Sequence, residues 1–230
     1  SLAAMHWQTT RFQIDLTQPK VMGIVNVTPD SFSDGGHHDN TRSALQHAEQ
    51  LLKEGADILD IGGESTRPGA PAVSLEEELR RVLPVVQEAV KWQVPISVDT
   101  YKPTIMRKAL DLGVDIINDV WALRQDGALE TIIDSACGVC LMHMHGEPQT
   151  MQALPMQGEV IQPVVEFLKV QAQALITSGV ANLAADAGGR AATRRAARNW
   201  CITPVPPLPE RPCSSAFRSP SGPRRSWPWF

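Results

Sequence analysis

Residues 21–64 read VMGIVNVTPDSFSDGGHHDNTRSALQHAEQLLKEGADILDIGGE. Residues 21–28 form a nearly continuous apolar run ending in polar residues, the pattern of a strand buried on both faces. A loop of Pro, Ser, Asp and Gly follows. Residues 40–54 then place Ala44, Leu45, Ala48, Leu51 and Leu52 on one helical stripe, and Gly55 stands where a C-terminal cap belongs. Residues 58–61, Ile-Leu-Asp-Ile, are a second short strand. Strand, helix and strand joined this way make a parallel pair with a helical crossover.

Working outward, the same unit repeats. Ser74 with Glu77 three residues later is a capping-box signature, and Leu75, Leu79, Val82, Leu83, Val86 and Val90 give the helix after it an apolar stripe, with a bend expected at Pro84. Residues 95–100 predict a third strand and 103–112 a third helix stopped by Gly113. Residues 114–120 and 127–136 form a fourth pair, and 138–145 and 161–178 a fifth. Five consecutive β/α units mean a parallel sheet. Each strand ends in polar residues: Asn26, Glu64, Asp99, Asn118-Asp119, and His143 with His145. Polar chemistry at every strand end favours a (β/α)8 barrel, whose active sites gather there, over a doubly wound sheet with one switch point.

The chain has 230 residues, a net charge of −4 and no apolar run long enough to span a membrane. The absence of a basic surplus argues against nucleic-acid binding. Four cysteines make no disulfide scaffold at this length, and no secretory signal opens the chain, so a cytoplasmic protein is expected. The averages conceal a split. Residues 1–180 hold 13 Lys and Arg against 23 Asp and Glu, whereas residues 181–230 hold eight Arg, no Lys, and only Asp186 and Glu210. The same last stretch has eight of the 18 prolines. Residues 1–180 are therefore read as barrel and 181–230 as an Arg/Pro/Ala-rich tail, expected to lack order and to leave both edges of the sheet unpaired.

Two loops are candidates for chemistry, each with an ordinary reading as a turn-rich connector or surface turn. The first, 26–36, holds two carboxylates around Phe32, more than a connection of this kind needs. In the second, 62–69, small residues, Ser65, Thr66 and Arg67 offer backbone N–H groups, hydroxyls and a guanidinium, a set suited to phosphate or to an ordinary surface turn. Asp99 can cap the next helix or accept paired N–H bonds from a heterocycle. Asn118 offers a donor and an acceptor for the same task, with Met142 as an apolar wall. His143 and His145, two apart on a strand, have metal-pair spacing but lack the further ligands such a site recruits. Cys137 and Cys140 read as packing.

The segments MGIVNVTPDSFSDGG, DILDIGGESTRPGA, VPISVDTYKP, DIINDV and CLMHMHGEP, in this order and spacing, resemble the dihydropteroate synthases of bacterial folate synthesis over residues ~20–180. The resemblance implies a pterin-binding (β/α)8 TIM barrel, of which about five β/α units are present here. It also implies a transferase that condenses 6-hydroxymethyl-7,8-dihydropterin diphosphate with 4-aminobenzoate, assisted by Mg²⁺. By matching motifs, Asn26 corresponds to the Mg²⁺ and diphosphate ligand, and Thr66 and Arg67 to the diphosphate holders. Asp99 and Asn118 correspond to the pterin-binding pair with Met142 against the ring. Phe32 and Pro68 correspond to the aminobenzoate pocket where sulfonamides compete. Asn26, Arg67 and Asp99 are the residues expected to carry the chemistry, and a homodimer is implied.

After Gly179 the family pattern continues into an Asp-Pro-Gly strand end with a Lys, then Ser-Arg-Lys and Arg-x-His; residues 181–230 lack these, with Asp186-Ala187-Gly188-Gly189 a faint echo of the first. A frameshift or truncation near residue 180, leaving an out-of-frame tail from a GC-rich gene, is the expected origin. The competing readings are an inactive part-barrel with residual ligand affinity, and a pterin-binding methyltransferase-like domain.

Overall fold

The computed structural model describes residues 6–28, 36–65, 71–144, 160–186, 199–201 and 203–204. A hairpin of β1 (His6–Gln8) and β2 (Gln13–Asp15) comes first. Then come β3 (Val21–Asn26), α1 (Gly36–Lys53), β4 (Ile58–Gly62), α2 (Leu75–Ala89), β5 (Ile96–Asp99) and α3 (Pro103–Asp111). These are followed by β6 (Ile116–Asp119), α4 (Ala128–Ile132), β7 (Gly138–Met142) and α5 (Ile161–Thr177). The five expected units stand, each within a few residues of its expected bounds. Ser74 is the N-cap of α2, its side chain accepting the Glu77 N–H, and the helix runs on through Pro84. Gly55, at φ +101°, closes α1 in the left-handed region that a side chain would disfavour.

The tail departs from expectation. Residues Leu183–Asp186 form β8, a sixth strand parallel to β7, so the parallel sheet extends past residue 180. Two short segments, β9 (Asn199–Cys201) and β10 (Thr203–Pro204), pair antiparallel with β3 and β8 respectively. One residue separates them, so a single stretch meets both edges of the sheet and curls it into a ring. The register agrees. A row starting at Asn26 passes Gly62, Asp99, Asn118, Cys140 and Ala184 to Pro204. The edges expected to stay open are paired at these positions.

Strand periodicity splits the apolar residues into two cores. Val25, Leu59, Ile61, Ile96, Val98, Ile117, Val139 and Leu141 face the helices and join Ala44, Ala48, Val82, Val86, Ile105 and Met106 in the larger one. Met22, Ile58, Ile116, Cys140 and Ala184 face inward and meet Trp7, Ile14 and Leu16 of the hairpin. The hairpin thus stops the N-terminal end of the ring. Trp7 donates its indole N–H to the Asn182 carbonyl at 3.1 Å, and a Cβ on Gly138 would come within 3.0 Å of its ring. Arg11 and buried Asp115 tie the hairpin to the sheet, with Arg11 Nη2 at 2.6 Å from Asp115 Oδ2.

Candidate functional site

The inward face changes character along the strands. At the hairpin end it is apolar; toward the C-terminal ends it carries Asn26, Asp60, Asp99, Asn118 and Met142. The register explains the gathering: Asn26 pairs with Gly62, Gly62 with Asp99, and Asp99 with Asn118, so these positions form one row. Gly62 leaves room in that row, and a Cβ there would sit 3.4 Å from the Asp99 Cβ. Asn118 donates an amide N–H to Asp60 Oδ2 at 3.0 Å, which orients its carboxamide. The sequence reading passed over Asp60, although a carboxylate inside an apolar strand was its signal. It also assigned no role to Asp186, whose backbone lies beside Met142 at the end of β8.

Carboxylates dominate the electrostatics. Burial raises Asp99 well above the usual carboxylate range, and the charges of Asp60, Asp119, Glu78 and Glu64 add to the effect. Asp119 is fully buried on the outer face, where burial raises it to about 6 against the N–H bonds it receives. Those bonds come from Trp121 and Leu123, each at 2.8 Å, and they hold a turn in which Ala122 and Leu123 adopt φ of 53° and 59°. Gln171 of α5 fixes the same turn by donating to the Ala122 carbonyl at 2.7 Å.

A pH dependence follows. Because its folded value lies above 3.8, Asp119 contributes stability that is complete below pH ~4, falls as pH rises toward ~6, and is constant above that. Relative to Asp119→Asn, the wild-type chain should therefore lose stability between pH ~4 and ~6. Denaturant unfolding of both proteins at several pH values measures this, and a flat difference would contradict it.

Beside the row, Glu64 at the end of β4 accepts from the Tyr101 hydroxyl at 3.1 Å and from the Val73 N–H at 3.3 Å. Lys102 bridges Glu64 and Glu78. Burial works against the Lys102 ammonium, yet its bonds to the two carboxylates hold its proton more tightly than usual. Glu78, 1% exposed, is raised by burial in spite of that partner. Gly63 is pressed against α2, where a Cβ would meet Val82 Cγ2 at 2.7 Å, and Arg81 donates to the Gly63 carbonyl at 2.9 Å.

Of the expected site residues, Asn26, Asp99, Asn118 and Met142 are brought together. Phe32, Thr66, Arg67 and Pro68 lie outside the described residues, as does His145. His143 packs edge-on against Phe167 of α5, with ring centroids 5.2 Å apart. Among the described residues no group of three or more His, Cys, Asp or Glu is placed to hold a metal ion.

A profile described as "Pterin binding enzyme" matches residues 22–205. The chain belongs to the pterin-binding enzyme family. Among curated relatives it is 58% identical over 178 residues to the dihydropteroate synthase of Neisseria meningitidis serogroup B, covering 76% of this chain. It spans 62% of that relative's length. Among solved structures it superposes with a TM-score of 0.71 on Burkholderia cenocepacia dihydropteroate synthase complexed with 7,8-dihydropteroate, at 48% identity, covering 82% of this chain and 65% of that one. It matches Xanthomonas albilineans dihydropteroate synthase with 4-aminobenzoic acid with a TM-score of 0.73 at 46% identity, over 81% of this chain and 67% of that one. The α/β fold with a parallel sheet is that of these pterin-binding barrels, of which this chain spans a part. Among the described residues no helix is long and apolar enough to cross a membrane.

Proposed function

We propose that this site serves dihydropteroate synthesis: condensation of 6-hydroxymethyl-7,8-dihydropterin diphosphate with 4-aminobenzoate to give 7,8-dihydropteroate and pyrophosphate. The observation that carries the reading is the inward row of Asn26, Asp99 and Asn118 at the C-terminal strand ends. It stands in a barrel whose relatives include structures with dihydropteroate and with 4-aminobenzoic acid.

The pterin ring presents adjacent N–H donors on one edge, and Asp99 is the carboxylate to accept them. Asn118, oriented by Asp60, supplies a carboxamide to the same ring. Met142 lies against the ring face. The aminobenzoate nitrogen attacks the pterin methylene, the C–O bond to the diphosphate breaks, pyrophosphate leaves with that electron pair, and the nitrogen loses a proton. Thr66 and Arg67 hold the leaving diphosphate, and Phe32 and Pro68 form the aminobenzoate pocket that sulfonamides contest.

The donor set suits Mg²⁺, which is bound through few protein oxygens together with substrate phosphates and water. The Asn26 amide oxygen would hold it, and the bound ion would supply positive charge against the diphosphate. A homodimer and a cytoplasmic setting complete the proposal.

Calorimetry with the pterin diphosphate and with the unphosphorylated pterin, followed by a turnover assay for dihydropteroate, tests it. Asn118→Ala should weaken both ligands by about 1–3 kcal/mol, the scale for an unpaired buried polar group. Arg67→Ala should weaken only the diphosphate. Failure of the wild-type chain to bind either ligand would overturn the proposal, and equal effects of both substitutions on both ligands would overturn the division of roles.

A further inference from the structure

The network beside the row does more than pair charges. Glu64 accepts the Val73 N–H, so the two sides of the second loop are tied together through described residues. The same carboxylate takes Lys102, whose ammonium also reaches Glu78 on α2. Glu78 accepts from the Thr100 hydroxyl at 2.9 Å, and that oxygen accepts from the Lys102 N–H at 3.2 Å. Thr100 follows Asp99 directly and donates its own N–H to the Asn118 carbonyl at 3.1 Å. One ammonium therefore joins the end of β4, the first turn of α2, and the chain leaving β5.

A buried ionic cluster is costly to desolvate and is weak evidence for stability; its best-attested use is to fix register. Here the Lys102 and Glu64 side chains are 16% and 13% exposed and that of Glu78 is 1% exposed. We propose that Lys102, seated between Glu64 and Glu78, is a positioning residue that fixes Glu64, and through it Val73, relative to Asp99, and so sets the grip on the diphosphate half of the substrate. The clamp itself is independent of the substrate; the diphosphate assignment rests on the function proposed above, because Thr66 and Arg67 follow Glu64 closely in sequence.

The test uses the full chain as wild type, Lys102→Met, Lys102→Arg and Glu64→Gln. Without ligand, amide hydrogen exchange reads the clamp at Val73. Lys102→Met should speed Val73 exchange about tenfold, equivalent to about 1.4 kcal/mol, with β6 and β7 unchanged and Lys102→Arg restoring most of the protection. Should Lys102→Met fail to fold, Glu64→Gln, which keeps the shape, should show the same faster exchange. Unchanged exchange at Val73 in the folded variants overturns the clamp.

With ligand, Lys102→Met should weaken the pterin diphosphate about tenfold and the unphosphorylated pterin less than about threefold. Equal losses for both overturn the positioning role. If the wild-type chain binds neither ligand, the proposed function fails, while Val73 exchange still decides the clamp.

Discussion

Asp115→Ala is expected to destabilise the chain by about 3–5 kcal/mol, the scale for removing one partner of a buried ion pair. The Asp115 side chain is fully buried and accepts four N–H bonds. Three come from Arg11, through its backbone N–H, Nε and Nη2, and the fourth comes from the Ile96 N–H at 2.8 Å. Alanine leaves the Ile96 donor without this acceptor and frees the hairpin that stops the ring. Arg11 is itself partly exposed, so its charge regains water, which places the effect toward the lower end of the range. Urea unfolding measures the loss, and trypsin cleavage after Arg11 reports release of the hairpin. A midpoint unchanged by Asp115→Ala would show that the hairpin is held without the Arg11–Asp115 pair.

Asp99→Ala should abolish measurable pterin binding in the micromolar range. Two hydrogen bonds to a charged group are lost, each worth about 1.5–3 kcal/mol, so at least a hundredfold in Kd is expected. The surrounding carboxylates add a signature that a neutral site would lack. Burial and the neighbouring carboxylates raise Asp99 above the usual carboxylate range, and the pterin edge donates hydrogen bonds to the ionised form, so binding displaces the proton at any pH where the free chain still carries it. Affinity should therefore rise with pH and level off once Asp99 is ionised in the free chain. Calorimetry in buffers of different ionisation enthalpy counts the released proton. Affinity independent of pH, with no proton released, would remove Asp99 from the pterin contact.

The parallel sheet was legible because strands buried on both faces read as apolar runs and the intervening helices keep a clean stripe. The row of Asn26, Asp99 and Asn118 was legible because each ends such a run. Other features left weaker traces. Three-residue strands such as β1 and β2 bury one side chain apiece, Trp7 and Ile14, too little for a period-two pattern. β8 is an alanine-rich tetrad whose partner strand, rather than its own propensity, defines it. Glu78 sits in a run of three glutamates that reads as a solvated face; only helical phase, four residues before Val82, sets it apart as the inward one. Asp60 was hidden by the strand around it. Its role depends on Asn118, 58 positions later, and a pairing at that distance leaves no local mark.

The stopped hairpin end has a consequence for traffic. Among the described residues, Trp7, Ile14 and Leu16 fill one end of the ring, so a molecule bound along the row is reached from the C-terminal strand ends. Two molecules using one doorway must queue. For the reaction proposed above, the one that rests deepest, against Asp60 and Asn118, has to enter first. A second reactant then stands between it and the exit until they are joined or it withdraws.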